Sequence, residues 1–139
     1  MWQLLNAFSA EQQAIAIYEA QVFWRPRDSG AVFREVLAEE RAHRLSIEPF
    51  MGIQAVVFFM SPFNILMGWV FGTFLSLLPR KLCYRVHVWA EEEAAKTYEQ
   101  TAKKIPIDAP SQLREALVHA AHQEHEHASR FRDLLEELS

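Results

Sequence analysis

A single cysteine, Cys83, stands in a chain of 139 residues. It excludes an internal disulfide framework and a zinc site built on thiolates. Glycine (4) and proline (6) are scarce, which is too few for a turn-rich all-β fold and suits long helices. No strong positive charge is present either: the formal net charge is -4, so a broad nucleic-acid-binding surface is excluded. The opening MWQLLNAFSAEQQ has no basic region, long apolar run or Arg/Ser-rich transit pattern. On that ground the chain is expected to be mature and unexported. What is plentiful is apolar: 50% hydrophobic against 23% charged residues. That is a folded chain, expected to form one domain over 1–139 with one real core.

The longest absence lies in the middle. From Pro49 to Pro79 there is no charged residue. The stretch is long enough to enter a bilayer, with burial in a core or an oligomer interface as the alternative. Pro62 and Asn64 near its centre argue against one smooth span.

Four helical stretches surround and continue this segment. The first is expected from Ser9 to Phe23, with Ser9 and Gln12 in capping-box spacing. The second is expected from about Ser29 to Glu48, ended by Pro49. The third begins near Pro62, is interrupted or bent at Pro79, and continues to about Lys104. Ile105 to Pro110 reads as a loop, and the fourth helix runs from an N-capping Ser111 to about Leu138.

Following each helix at 3.6-residue spacing gives the informative rows. They are Leu4, Phe8, Glu11, Ile15, Tyr18 and Val22; Phe33, Val36, Glu40, His43 and Ile47; Tyr84, Val88, Glu91, Ala95, Tyr98 and Ala102; and Leu113, Leu117, Ala120, Glu124, His127, Phe131, Leu134 and Leu138. Each row carries a Glu among apolar residues, and two add a His three positions later. A buried carboxylate without a counter-charge costs several kcal/mol, and these rows hold no Lys or Arg. Metal cations are the economical counter-charge. Carboxylate oxygen and imidazole nitrogen without thiolate suit iron or manganese. Glu and His at i and i+3 share a face, so Glu40/His43 and Glu124/His127 can each present two ligands to one ion.

An internal repeat strengthens the pattern. Ala10-Glu11-x-x-Ala14-x-x-x-Tyr18-Glu19 recurs as Ala90-Glu91-x-x-Ala94-x-x-x-Tyr98-Glu99, and each copy is followed by a Glu-x-x-His. One Glu from each of two helices and Glu-x-x-His from each of two others is the ligand plan of ferritin-like di-metal four-helix bundles. The expected fold is therefore all-α: a ferritin-like four-helix bundle with an apolar membrane-docking hairpin between helices 2 and 3. Tyr18 and Tyr98, two turns beyond their Glu partners, are candidate catalytic residues through hydrogen bonds to ligands, with core packing as the alternative. His87 falls near the inner face as a candidate partner of a ligand. His119, His122 and His125 fall on a different stripe and are expected in solvent, as are Glu92 and Glu93. Cys83 reads as a small core filler.

These residues resemble the demethoxyubiquinone hydroxylases, membrane-bound di-iron enzymes of ubiquinone biosynthesis. The family's opening motif is similar to Ala10-Glu11 with Ile17-Tyr18-Glu19-Ala20-Gln21, and its Glu-x-x-His resembles Glu40 to His43. Its central apolar segment resembles Pro62, Gly68 and Gly72. Val88 to Glu91 with Tyr98, and Gln123-Glu124-His125-Glu126-His127, resemble the later motifs. The chain departs from the family pattern at Phe8-Ser9, at Thr97, at Gln123 and in lacking an Arg-Pro pair directly before the central segment. By this match Glu11, Glu40, His43, Glu91, Glu124 and His127 are the ligands of two iron ions.

The resemblance implies a di-iron mono-oxygenase that hydroxylates the ring of a membrane quinone precursor with dioxygen. The apolar segment would dock on the lipid bilayer. Electrons would come from a reductase or from reduced nicotinamide, because no nucleotide-binding motif such as GxGxxG is present. Localisation would be peripheral or monotopic on the cytoplasmic face of a bacterial inner membrane, with a homo-oligomer left open and no nucleic acid as partner. A ferritin-like iron-handling or peroxide-scavenging protein is the alternative, and a non-enzymatic scaffold a third. Ligands fall on both sides of the apolar segment, so one shared metal pair forbids a single crossing of about 30 Å. The segment is expected to reverse near Ser61-Pro62, or to lie in the interface as an amphipathic anchor.

Overall fold

The computed structural model describes residues 2–25, 30–51 and 54–139; side chains are described for 4–25, 30–51 and 61–139. The described residues are all-α, without a strand. Five α-helices follow in order: α1 (Trp2–Trp24), α2 (Gly30–Ile47), α3 (Gln54–Leu77), α4 (Arg80–Lys104) and α5 (Ser111–Glu137), with a 3-10 turn at Glu48–Phe50.

The helix starts correct the sequence reading at α1 and at α5. α1 begins at Trp2, so Ser9 is an interior residue and the expected capping box is not formed. Ala7 and Phe8 are buried, and apolar burial carries the helix back past the polar signal at Ser9. The expected start of the second helix at Ser29 lies outside the described residues; α2 is helical from Gly30 and gives way at Ile47 to the turn containing Pro49. At α5 the capping position belongs to Pro110 and Ser111 is the first helical residue. The Leu113 N–H donates to the Pro110 carbonyl at 3.0 Å, closing the first turn without a side-chain cap.

The central segment gives the largest correction. Residues 54–77 form one unbroken helix with Pro62 inside it, so the chain does not reverse at Ser61-Pro62. Proline removes one backbone donor, but long-range packing on α1 holds the helix through that point. The interruption expected at Pro79 is real. Pro79 sits at the N-cap of α4 in an extended conformation, and its carbonyl accepts from the Leu82 and Cys83 amides at 2.9 and 3.0 Å.

The chain forms two compact units, Met1–Leu77 and Leu78–Ser139. In the first, α1 packs on both α2 and α3. Glu19 pairs with Arg41, and Glu11 faces His43, so α1 and α2 run antiparallel. Against α3 the register rises on both helices, from Gly68 at Gln13 and Ala16 to Gly72 at Ile17 and Ala20, so these two run parallel. Beyond the glycines, Trp24 Nε1 donates to Thr73 Oγ1 at 3.1 Å. Arg25 donates from Nε and Nη2 to the Ser76 carbonyl at 2.9 and 2.7 Å. This guanidinium satisfies a carbonyl in the last turn of α3, which has no onward helical partner.

The second unit is the antiparallel hairpin of α4 and α5. Arg114 Nη1 donates to the Ala102 carbonyl at 2.6 Å, closing the C-terminal end of α4, where Lys103 and Lys104 also suit the helix dipole. Cys83 is fully buried. Tyr84 and His87 pack on Phe131 across the hairpin.

The α1–α3 contact depends on absent side chains. A Cβ at Gly68 would lie 2.5 Å from the Gln13 carbonyl oxygen and 2.6 Å from Ala16 Cβ; at Gly72 it would lie 2.5 Å from the Ile17 carbonyl oxygen. These are backbone atoms and a Cβ, which no rotamer change can move. Gly68→Ala and Gly72→Ala should each destabilise the chain by about 1–3 kcal/mol in urea unfolding. Phe71→Leu on the exposed side of the same helix should cost under about 0.5 kcal/mol.

Candidate metal centre

In the first unit Glu11 projects from α1, and Glu40 and His43 from α2; all three are buried to about the same depth. His43 Nδ1 lies 3.8 Å from Glu11 Oε1 and 3.7 Å from Glu40 Oε2. The antiparallel pairing explains the placement. Glu40 and His43 sit one turn apart on the face of α2 that meets α1, while Arg41 points outward and pairs with Glu19 at 2.8 Å.

The second unit repeats the plan. Glu91 projects from α4, and Glu124 and His127 from α5, all buried. His127 Nδ1 lies 3.1 Å from Glu124 Oε2 and 3.6 Å from Glu91 Oε2. The outward residue after Glu124 is His125, whose Nε2 meets Glu99 Oε1 at 3.2 Å. That contact occupies the register that Arg41 and Glu19 hold in the first unit.

Within each triad one donor atom per residue lies within 4.8 Å of the other two. A divalent first-row ion with metal–ligand bonds of about 2.1 Å spans donors up to about 4.2 Å apart. The imidazole–carboxylate separations of 3.1 to 3.8 Å fall inside that span. The donors are carboxylate and imidazole, and no Lys or Arg is buried among the described residues. The triads fit a hard or borderline cation such as iron or manganese.

The other sequence candidates sort cleanly. Tyr18 and Tyr98 are buried as their rows require, with the Tyr18 ring 6.1 Å from that of Phe33. His87 is buried, its Nδ1 is 4.0 Å from Glu91 Oε1, and its ring stacks on Phe131 at 4.7 Å. His119, His122 and His125 are exposed, as their stripe demands. Glu92 pairs with Arg132 outside the triad. Glu93 pairs with Lys96 at 2.7 Å, and that hydrogen bond holds the ammonium above its ordinary pKa. The rows passed over two buried amides of α1, Gln12 and Gln21. Gln21, not Val22, ends the buried row. A neutral polar residue at an apolar position was the available signal.

Helix pairs that bury carboxylate–histidine triads define an α-helical metal-binding protein of the bundle class. The family model of ubiquinone biosynthesis protein COQ7 matches residues 8–130. The chain belongs to that family, whose members are ferritin-like di-iron mono-oxygenases acting as demethoxyubiquinone hydroxylases. Its function is accordingly that of a hydroxylase in ubiquinone biosynthesis. No curated protein and no solved structure gives a significant match.

Burial of these carboxylates gives a test of sign. In metal-free protein, Glu11→Gln replaces a buried anion with a neutral amide and should raise stability by about 1–3 kcal/mol. The same variant should lose most of the stabilisation that wild type gains from anaerobic ferrous iron. Glu92→Gln should change either value by less than about 1 kcal/mol. Urea unfolding with and without iron reads all three.

Proposed function

We propose that Glu11, Glu40, His43, Glu91, Glu124 and His127 together hold two irons in one centre, and that 1–139 works as a single domain around it. The observation that supports this is the burial of two carboxylate–histidine triads, with no buried Lys or Arg among the described residues, in a chain of this family. Held by these residues, two irons would supply the activation of dioxygen needed to insert one oxygen atom into a quinone ring. The overall reaction turns a ring C–H into C–OH and the second oxygen atom into water, and it consumes two electrons and two protons. An external reductase or reduced nicotinamide supplies the electrons.

The protein's own residues have separable tasks. The carboxylates neutralise and hold the cations, and the two imidazoles fix one end of each triad. Tyr18 and Tyr98, buried on the same helix faces as Glu11 and Glu91, are the candidate catalytic positions, acting through hydrogen bonds to the ligands. The buried setting keeps bulk water from the triads, so the charges there act in a low dielectric.

Substrate delivery falls to α3. Phe63, Leu66, Val70, Phe74 and Leu77 form one exposed stripe at helical spacing, while Leu75 on the other side is buried. Phe23 extends the apolar surface through its contact with Trp69, 6.0 Å between rings. No helix among the described residues is long and apolar enough to cross a membrane. We place α3 in the interfacial plane, where its outer stripe enters the lipid and the prenyl tail of the quinone resides.

Deleting the gene in the source organism should accumulate a quinone precursor lacking one ring hydroxyl, detected by mass spectrometry of lipid extracts. A wild-type copy should restore the product and a Glu91→Ala copy should not. A normal quinone profile in the deletion strain would shift the assignment to iron handling. For the membrane, Leu66→Ser/Phe74→Ser should reduce sedimentation with lipid vesicles at least tenfold, since each large side chain removed from lipid costs about 1.5–3 kcal/mol.

A further inference from the structure

The two triads share one plan, yet they differ at one register. Four residues before its carboxylate, α1 has Ala7 and α4 has His87; four residues after its histidine, α2 has Ile47 and α5 has Phe131. All four are buried. Where the first unit places a methyl group and an aliphatic side chain, the second places an imidazole stacked on a phenyl ring. Their centroids are 4.7 Å apart and their planes 19° from parallel.

That ring pair bears directly on Glu91. One carboxylate oxygen, Oε1, faces His87 Nδ1 at 4.0 Å, and the other, Oε2, faces His127 Nδ1 at 3.6 Å. The carboxylate is bracketed by two imidazoles, one per oxygen. His127 is the metal-ligand candidate of the two, so the Oε2 side belongs to the ion. His87 faces the other side, at a separation longer than a direct hydrogen bond. Stacking on Phe131 limits rotation of the His87 ring, so its nitrogen stays aimed at Glu91. Glu11 cannot receive the equivalent contact, because Ala7 carries no donor. Carboxylates that bind metals depend on such outer partners for their orientation and affinity.

We propose that His87 is a positioning residue for Glu91, and that it makes the metal held by the second triad inequivalent to the metal held by the first. The inference rests on the di-metal reading above. Metal binds the second triad more tightly and fills it first, because one of its carboxylates is oriented before the ion arrives. The two ions then differ in ligand field even though their first ligands are the same set of residue types.

Anaerobic titration of the metal-free, full-length protein with cobalt(II) tests this, read by visible absorption bands and by equilibrium dialysis. Wild type should bind two cobalt ions in two resolved steps. His87→Ala, which installs the residue found at the equivalent position of the first unit, should weaken the tighter step by about 10- to 100-fold. It should also shift that step's absorption bands. His87→Phe preserves a ring against Phe131 but has no nitrogen, and should behave like His87→Ala. His87→Gln restores a donor and should recover part of the affinity and the band position. Circular dichroism confirms that each variant is folded. Folded His87→Ala or His87→Phe with both steps and both spectra unchanged would overturn the role of His87 alone. A wild-type protein that binds no cobalt would instead overturn the di-metal reading.

Discussion

Four carboxylates are buried in this protein without a lysine or arginine buried among the described residues, and that imbalance constrains everything around it. Each buried anion costs several kcal/mol if left alone. The fold can bear four of them because each triad gathers its charges within reach of one cation. Hydrophobic packing on the helices then provides the frame, and a bound cation would provide the charge balance that packing cannot. Such a protein couples its stability to metal supply, as any ligand bound only by the native state must.

The repeated plan reaches beyond the triads. In both units the residue that follows the Glu of Glu-x-x-His turns outward and meets the Glu that follows the tyrosine, as Arg41 with Glu19 and as His125 with Glu99. Exposed pairs of this kind contribute at most about 1 kcal/mol. Their value lies in register. Each closes the outer side of a helix pair at the level where the inner side holds a ligand, so a slip along the pair would break both at once.

Much of the site was legible because burial and charge conflict so sharply. Glu11, Glu40, Glu91 and Glu124 stood out in their rows because a carboxylate at an apolar position demands an explanation, and all four are buried. The neutral Gln12 and Gln21 raise no such demand, and neither was placed in the buried rows. The helix types were legible from periodicity, but their starts were not. Ser9 resembles a cap in isolation, yet packing of Ala7 and Phe8 extends α1 past it. Pro62 suggested a reversal, since a proline weakens any helix by itself. Whether the chain turns or continues there depends on α1, which no local signal at residue 62 encodes. Gly68 and Gly72 were read only as part of a family pattern, while their physical task, admitting the α1 backbone, emerges from the paired helices.

The sides of α3 differ in bulk more than in polarity. Against α1 it shows glycines, and outward it shows phenylalanine, leucine and valine. A scale that ranks residues by affinity for water sees little contrast between such faces. A ruler of side-chain volume separates them at once. Sequence drift on this helix should therefore obey two different rules. Outward positions can exchange one greasy side chain for another of different shape, since lipid or water adapts to any contour. Inward positions tolerate no added carbon, since the opposing surface is main chain. The helix thus keeps its place in the protein by steric exclusion on one side, and leaves the other free to change its contour.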